Sequence, residues 1–274
     1  MTSGETLRVA FVVGLLQGVF EWLPISSEGN VSLYLTVVEG LPAEAAVRYS
    51  LFLHAGTAVA AVAYYRGDVA DLLRALPGWR PRAAFEAGDR ADTTFLAAAT
   101  LVSGGVGIAA FLALEAVVSE VSGGVFVALV GVLLVLTGVV QRVAEGSLGN
   151  RETPTGVDAL LVGALQGLAI LPGVSRSGTT VSALLLRGYE APVAFRLSFL
   201  LSIPAALGAG ALALLDTGFP DIGVAAGLLA LTTSAVVGYA TIDGLLRVVS
   251  RVAFWAVCVG LGTLAVVGGS LVLL

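Results

Sequence analysis

The sequence contains no lysine. Its 14 basic residues are all arginine, it has one histidine, one methionine and one cysteine, and charged residues fill only 12% of its 274 positions. These shortages are informative. Soluble domains carry about 25% charged residues, so a chain this poor in charge is not an ordinary soluble one. A lone Cys258 cannot form an intrachain disulfide, and cysteine usage therefore gives no reading of the redox compartment; it is read as filler on a lipid- or helix-facing surface. The net charge of −5 and the absence of a basic patch speak against a nucleic-acid partner. The first residues, Met-Thr-Ser-Gly-Glu-Thr, lack the positive segment that opens a signal peptide.

What the chain has instead is apolar length. Hydrophobic residues make up 57% of it and the mean hydropathy is +0.98, the composition of an all-α integral membrane protein. Apolar segments fall at roughly 7–20, 22–38, 47–65, 94–115, 123–141, 157–171, 179–187, 193–215, 222–242 and 252–273. A spanning helix needs about 20 residues. The segments 47–65, 94–115, 123–141, 193–215, 222–242 and 252–273 satisfy this. The others are short and fall in two pairs, each interrupted by Pro and Gly, as expected of broken or re-entrant helices that meet at mid-membrane.

The interruptions echo one another. Leu16 to Val31 carries Gln17-Gly18, an apolar turn, Pro24, and then Ser26-Ser27-Glu28-Gly29. Leu165 to Val181 carries Gln166-Gly167, an apolar turn, Pro172, and then Ser175-Arg176-Ser177-Gly178. Arginine placement sets the orientation. Arg66, Arg74, Arg80, Arg82 and Arg90 mark one loop as cytoplasmic, as do Arg142 with Arg151, Arg187 with Arg196, and Arg247 with Arg251. The connections Glu115–Ser122 and Asp216–Asp221 hold no arginine and are read as external. The alternation closes only if each short pair enters and leaves on one side. The predicted architecture is an inverted-topology repeat of six transmembrane helices and two re-entrant pairs. Residues 1–145 form the first repeat and 146–274 the second, with both termini and the site opening on the external face of the cell membrane.

The polar residues at membrane depth mark the candidate site. An arginine there is costly and points to function. Arg176 offers a bidentate fork suited to phosphate. Ser175, Ser177 and Gly178 surround it, and the free amides of a half-helix expected to begin at Thr179 add to an anion site. Gln17 and Glu21 share a helix face. Glu21 is read as a metal ligand, an acid–base group or the partner of Arg176. Ser26 suits a helix cap, while Ser27 is open to either capping or nucleophilic attack. His54, the only histidine, is read as a hydrogen-bonded packing residue with a cavity-facing role as the alternative, and Tyr64, Tyr65, Trp79 and Trp255 as interfacial anchors.

The two stretches resemble the signature regions of the undecaprenyl-diphosphate phosphatase family of the bacitracin-resistance type. Its early pattern, Glu-Gly-x-x-Glu-(Phe/Trp)-Leu-Pro-(Ile/Val)-Ser-Ser-x-Gly-His, is matched from Gln17 to Asn30, and its later pattern from Gln166 to Gly178. His54-Ala55-Gly56-Thr57 and Leu197 to Pro204 look like family segments as well. The resemblance implies hydrolysis of a polyprenyl diphosphate to the monophosphate, recycling the lipid carrier of envelope glycans. It implies a divalent cation, Mg²⁺ or Ca²⁺, with Glu21 and Gln17 as candidate ligands. Glu21, Ser27 and Arg176 match functional residues, and Ser26, Asn30, Ser175, Ser177, Gly178 and Thr180 fall at the phosphate site. The expected partners are the polyprenyl diphosphate and membrane lipids; a homodimer is left open. Two positions depart from the pattern: the family's first Glu is Gln17 and its His is Asn30. The departures leave Glu21 to serve both the cation and the proton, with Glu28 or His54 as substitutes, and keep in view a reaction with metal-bound water and a lipid-phosphate-binding relative without catalysis; the inverted repeat with broken helices keeps in view a transporter or flippase for the lipid phosphate.

Overall fold

A computed structural model describes residues 3–78, 80, 84–86, 88–147, 149–217, 223–249 and 251–273. These residues form an all-α membrane protein. The helices are α1 (Ser3–Phe20), α2 (Ser27–Val37), α3 (Ala43–Tyr64), α4 (Arg66–Ala75), α5 (Asp89–Val118), α6 (Gly123–Ala144), α7 (Gly156–Leu168), α8 (Arg176–Leu186), α9 (Ala191–Thr217), α10 (Val224–Val249) and α11 (Phe254–Leu271). Six of them, α3, α5, α6, α9, α10 and α11, are long and apolar enough to cross a membrane. They coincide with the six long segments of the sequence. The short helices α1, α2, α7 and α8 carry the two polar stretches.

Each short pair starts and ends at one end of the bundle. Arg8 on α1 lies 3.3 Å from Glu39 just past α2. Asp158 on α7 binds Arg187 at the end of α8 through Nε at 2.6 Å, and also accepts from Arg151 and Tyr189. Asp158 is fully buried. Burial pushes its carboxyl up, but hydrogen bonds from Thr155, Tyr189 and Arg187 outweigh that and hold it at about 2. The charge clusters of the long helices fall at the same two ends. Arg48 pairs with Glu44 and Glu115 at the end marked by Arg8. Arg196 bridges Asp68 and Asp92 at the opposite end.

The packing partners are exchanged between the two halves of the chain. α1 packs on α10 and α7 on α5; α3 packs on α9 and α6 on α11. The approach is close because small residues sit at the contacts. A Cβ on Gly18 would lie 2.9 Å from the Gly238 amide, and one on Gly167 2.8 Å from the Ser103 carbonyl. Small residues at such places let helix backbones approach where lipid gives no hydrophobic drive to association.

Two details differ from the sequence expectation. The region after Arg66, read as a loop, opens with the amphipathic helix α4, which lays Val69 and Leu72 against a cluster containing Trp22 and Phe199. The half-helix expected from Thr179 begins three residues earlier, at Arg176, because Ser175 caps it by accepting the Gly178 amide at 3.1 Å. Tyr64 and Tyr65 lie against one another at the end of α3, and Trp255 stacks under Arg142. Trp79, Arg82 and Asp221 lie outside the described residues.

Candidate active site

The turn between α1 and α2 crosses the turn between α7 and α8. Ser26 is the N-cap of α2, as its sequence context suggests, and it has φ 62°, the one non-glycine residue with positive φ among the described residues. That conformation costs about 1–2 kcal/mol. It aims Ser26 Oγ at two amides at once, Gly29 at 3.2 Å within α2 and Gly173 at 3.0 Å in the other turn. Gly173 has φ 102°, and a Cβ on Gly29 would sit 2.6 Å from its amide, so both crossing points need glycine. Thr137 on α6 closes the second turn: it donates to the Gly173 carbonyl at 3.0 Å and accepts the Ser175 amide at 3.2 Å. The carbonyl of Pro24 accepts from Gln141 on α6 at 2.6 Å and from Cys258 on α11 at 3.2 Å. Cys258 is therefore buried against the turn rather than facing lipid.

Glu21 sits where the turns cross. Its Oε1 accepts from Arg176 Nη2 at 2.7 Å. Its Oε2 accepts from Gln17 Nε2 at 2.9 Å and Ser27 Oγ at 3.0 Å, with His54 Nε2 3.5 Å away. His54 is anchored by Nδ1 on the Ser50 carbonyl at 2.9 Å, which leaves Nε2 toward Glu21. Arg176 lies over the Phe199 ring at 5.3 Å, and its Nη1 has no partner.

These groups open onto a cavity of about 380 Å³. Glu21, Ser26, Ser27, Glu28, His54, Ser175, Arg176 and Ser177 form its polar part. Its remaining wall is mostly small and apolar, running along Gly104, Gly107 and Ile108 of α5 and from Pro204 to Leu215 of α9, with Thr100, Ser103, Gln166 and Ser202 as further polar residues. Ile108 and Leu215 are exposed, so the cavity reaches the outer surface of the bundle between these helices. A polar head with an apolar flank opening sideways suits a lipid with a phosphate end.

The site residues expected from the sequence are not all alike in place. Glu21, Ser26, Ser27, Ser175, Arg176 and Ser177 line the cavity. The Gly178 amide is taken by Ser175, and the Thr180 hydroxyl lies 2.7 Å from Ser198 and donates to the Arg176 carbonyl, behind the first turn of α8. Asn30 turns its amide onto the carbonyls of Ile25 and Ser26 at 2.7 and 2.9 Å, bracing the strained cap. His54 and Glu28, which the sequence offers only as substitutes for the missing acid and histidine, both join the wall.

The family model described as Bacitracin resistance protein BacA matches residues 10–265. The chain belongs to the BacA family. A member from Haloarcula marismortui named undecaprenyl-diphosphatase is 57% identical over 269 residues, covering 98% of this chain and 99% of its own length. Members with the same name from Methanococcoides burtonii and Methanopyrus kandleri are 39% and 36% identical over 265 residues each, covering 95% and 94% of this chain.

The BacA resemblance raises the question of a divalent cation. Both oxygens of Glu21 are already held, one by a guanidinium, and among the described residues no three His, Cys, Asp or Glu side chains cluster to form an all-protein cage. The Gln17 Oε1 has no partner but Gln17 does not line the cavity. Glu28 Oε1 lacks a partner and belongs to the wall. The donor set fits a cation that shares its coordination with ligand oxygens.

Proposed function

We propose that this BacA-family chain hydrolyses a polyprenyl diphosphate to the monophosphate and inorganic phosphate, recycling the lipid carrier of envelope glycan synthesis. The observation that carries this is the convergence of Ser27, Glu21 and Arg176 on one cavity with a polar head and an apolar side opening. The names of the relatives support the same substrate.

The chemistry follows from which atoms are already committed. Ser27 Oγ donates its proton to Glu21 Oε2, so the carboxylate is in place to take that proton as Oγ attacks the terminal phosphorus. The Oγ–P bond forms, the bridging P–O bond breaks, and the lipid monophosphate leaves with its negative charge. Water then hydrolyses the phosphoserine. Arg176 lines the cavity and is held by Glu21 through Nη2, with Nη1 left unpartnered as a donor in reserve for phosphate, while the first turn of α8 adds its dipole. Phosphoryl transfer asks mainly for positioning and charge stabilisation, which a rigid crossing of two capped turns supplies. A divalent cation, when bound, would add neutralisation of the phosphate charge, and the carboxylate oxygen on this wall left without a partner to hold it is Glu28 Oε1.

We infer further that residues 1–145 and 146–274 are inverted repeats with re-entrant pairs α1–α2 and α7–α8. The exchanged partners α1·α10 and α7·α5 support this, as do the contacts Arg8–Glu39 and Asp158–Arg187 that bring the ends of each pair together. In this reading the cavity faces the outer leaflet and both termini lie outside.

Two measurements test these readings. Phosphate release from a C55 diphosphate by the detergent-purified protein should be lost in Arg176→Ala and Ser27→Ala, and acid quenching with labelled substrate should trap phosphoserine on the wild type. Release that survives both substitutions ends the proposed site; lipid movement in liposomes without release favours transport. Cysteine variants of Ser3 and Ser270 should label from outside intact cells, and access to Ser3 from the cytoplasm alone ends the orientation.

A further inference from the structure

We propose that Glu28 is the carboxylate with which this chain holds a divalent cation against the phosphates of its substrate. The inference rests on the diphosphate reading above. Glu28 is the second residue of α2, is 4% exposed, and lies on the cavity wall with Oε1 lacking any hydrogen-bond partner. Buried carboxylates are normally paired or bound to metal, because an isolated buried charge is very costly. The arginine on this wall is bonded to Glu21 instead.

The missing partner has a charge requirement. A diphosphate brings several negative charges into a cavity where Glu28 already lies near Glu21. Arg176 and His54 both flank Glu21, so neither offsets Glu28. Two anions that must share one cavity need a cation between them. A hard divalent cation such as Mg²⁺ is commonly held by one or two carboxylates together with phosphate oxygens, and keeps waters for the rest of its shell. That pattern fits a single carboxylate with an unpartnered oxygen on the cavity wall and the lack of a three-ligand cluster among the described residues.

The same reading explains the amide at position 17. Gln17 donates to Glu21 through Nε2, which helps hold Glu21 as the partner of Arg176 and Ser27. The acid that this position lacks is supplied from the first turn of α2, eleven residues later, and on the cavity rather than behind it. Two jobs are thereby divided: Glu21 takes the proton of Ser27, and Glu28 takes the cation.

The test uses the full-length protein in detergent, Mn²⁺ as the probe and methylenediphosphonate as a diphosphate that cannot be hydrolysed, with bound Mn²⁺ read by electron paramagnetic resonance. Wild type should bind Mn²⁺ in the presence of the diphosphonate, and Glu28→Gln should weaken that binding by at least about tenfold. Mn²⁺ with diphosphonate should raise the melting temperature of wild type and not of Glu28→Gln. Without metal, Glu28→Gln should melt at or above wild type, since it removes a buried carboxylate whose Oε1 has no partner. Should the Gln variant fail to fold, Glu28→Asp replaces it: a change in Mn²⁺ affinity of about threefold or more supports the site, and no change overturns it. Failure of wild type to bind Mn²⁺, or equal binding by Glu28→Gln, also overturns it, including the case where a protonated Glu28 serves the phosphate as a hydrogen-bond donor. Phosphate release is assayed separately. Glu28-dependent Mn²⁺ binding in a wild type that releases no phosphate keeps the cation site and ends the phosphatase reading; release with Glu28-independent binding does the reverse.

Discussion

The pairing of Glu21 with Arg176 can be tested as an energy rather than as a loss of activity. The contact is 2.7 Å, with side chains 6% and 14% exposed, and it joins residues 155 positions apart. Removing one member of a buried pair typically costs about 3–5 kcal/mol, because the other is left charged and unpaired. Here the lower end applies to Arg176→Met, since His54 remains 3.5 Å from Glu21 and Gln17 and Ser27 still donate to it. Glu21→Gln should cost a similar amount, leaving Arg176 over the Phe199 ring without its anion. The double variant leaves no uncompensated charge. Its loss should stay near about 3 kcal/mol instead of the roughly 6 kcal/mol that independent effects would give, a coupling of about 2–3 kcal/mol. The assay is reversible unfolding in mixed micelles of increasing denaturing-detergent fraction, followed by tryptophan fluorescence. Phosphate release should be absent from all three variants, so stability and catalysis report separately. Additivity to within about 0.5 kcal/mol would refute the reasoning and with it the account of what holds the two turns together.

Three further outcomes follow from other contacts. Gln17→Glu should lower phosphate release at least about tenfold, because it exchanges a donor to Glu21 for a second carboxylate four residues away on the same helix face; unchanged or faster release would refute this. Gly18→Leu should prevent stable folding, seen as loss of a monodisperse peak on size-exclusion chromatography, because any Cβ there meets the backbone of α10; a well-behaved variant would show that the helices can separate. The Asp158 carboxyl is held at about 2 against an ordinary 3.8. Its folded value is depressed, so its contribution of about 2 kcal/mol is present above pH 4 and is lost as pH falls toward 2. The acid slope of unfolding over that window should shrink in Asp158→Asn, and an unchanged slope would count against the contact.

The six long helices were legible because apolar length is a local property, and it survives in the structure as α3, α5, α6, α9, α10 and α11. Arg176 was legible for a similar reason: an arginine between Ser175 and Ser177 in an apolar stretch is anomalous without knowing its neighbours. What spacing does not carry is contact across the chain. Glu21 had three readings in the sequence, and no spacing reveals that it touches Arg176 and Ser27 at once. A single histidine in a helix gives no pattern, so nothing local reveals that His54 Nε2 turns to Glu21. Glu28 falls in a turn of the sequence, and no local signal shows that this turn is buried where Gly29 lies against Gly173 of a distant one. The helix α4 did carry an amphipathic signal, but its charges, Arg66, Asp68, Asp71 and Arg74, outweighed Val69 and Leu72 in a reading tuned to membrane spans.

The strained turn at Pro24–Ser26 has a consequence for how the protein is made. Its carbonyl is held by Gln141 and Cys258, and its serine by the amide of Gly173. All three partners emerge from the ribosome long after the turn itself, and Cys258 arrives only with the last helix. Until Arg176 follows, the inserted first half carries Glu21 without the guanidinium that pairs it. The site is thus among the last parts of the molecule to set. A nascent chain stopped before residue 258 has Ser27, the proposed nucleophile, in its sequence without the full set of braces on the turn before it.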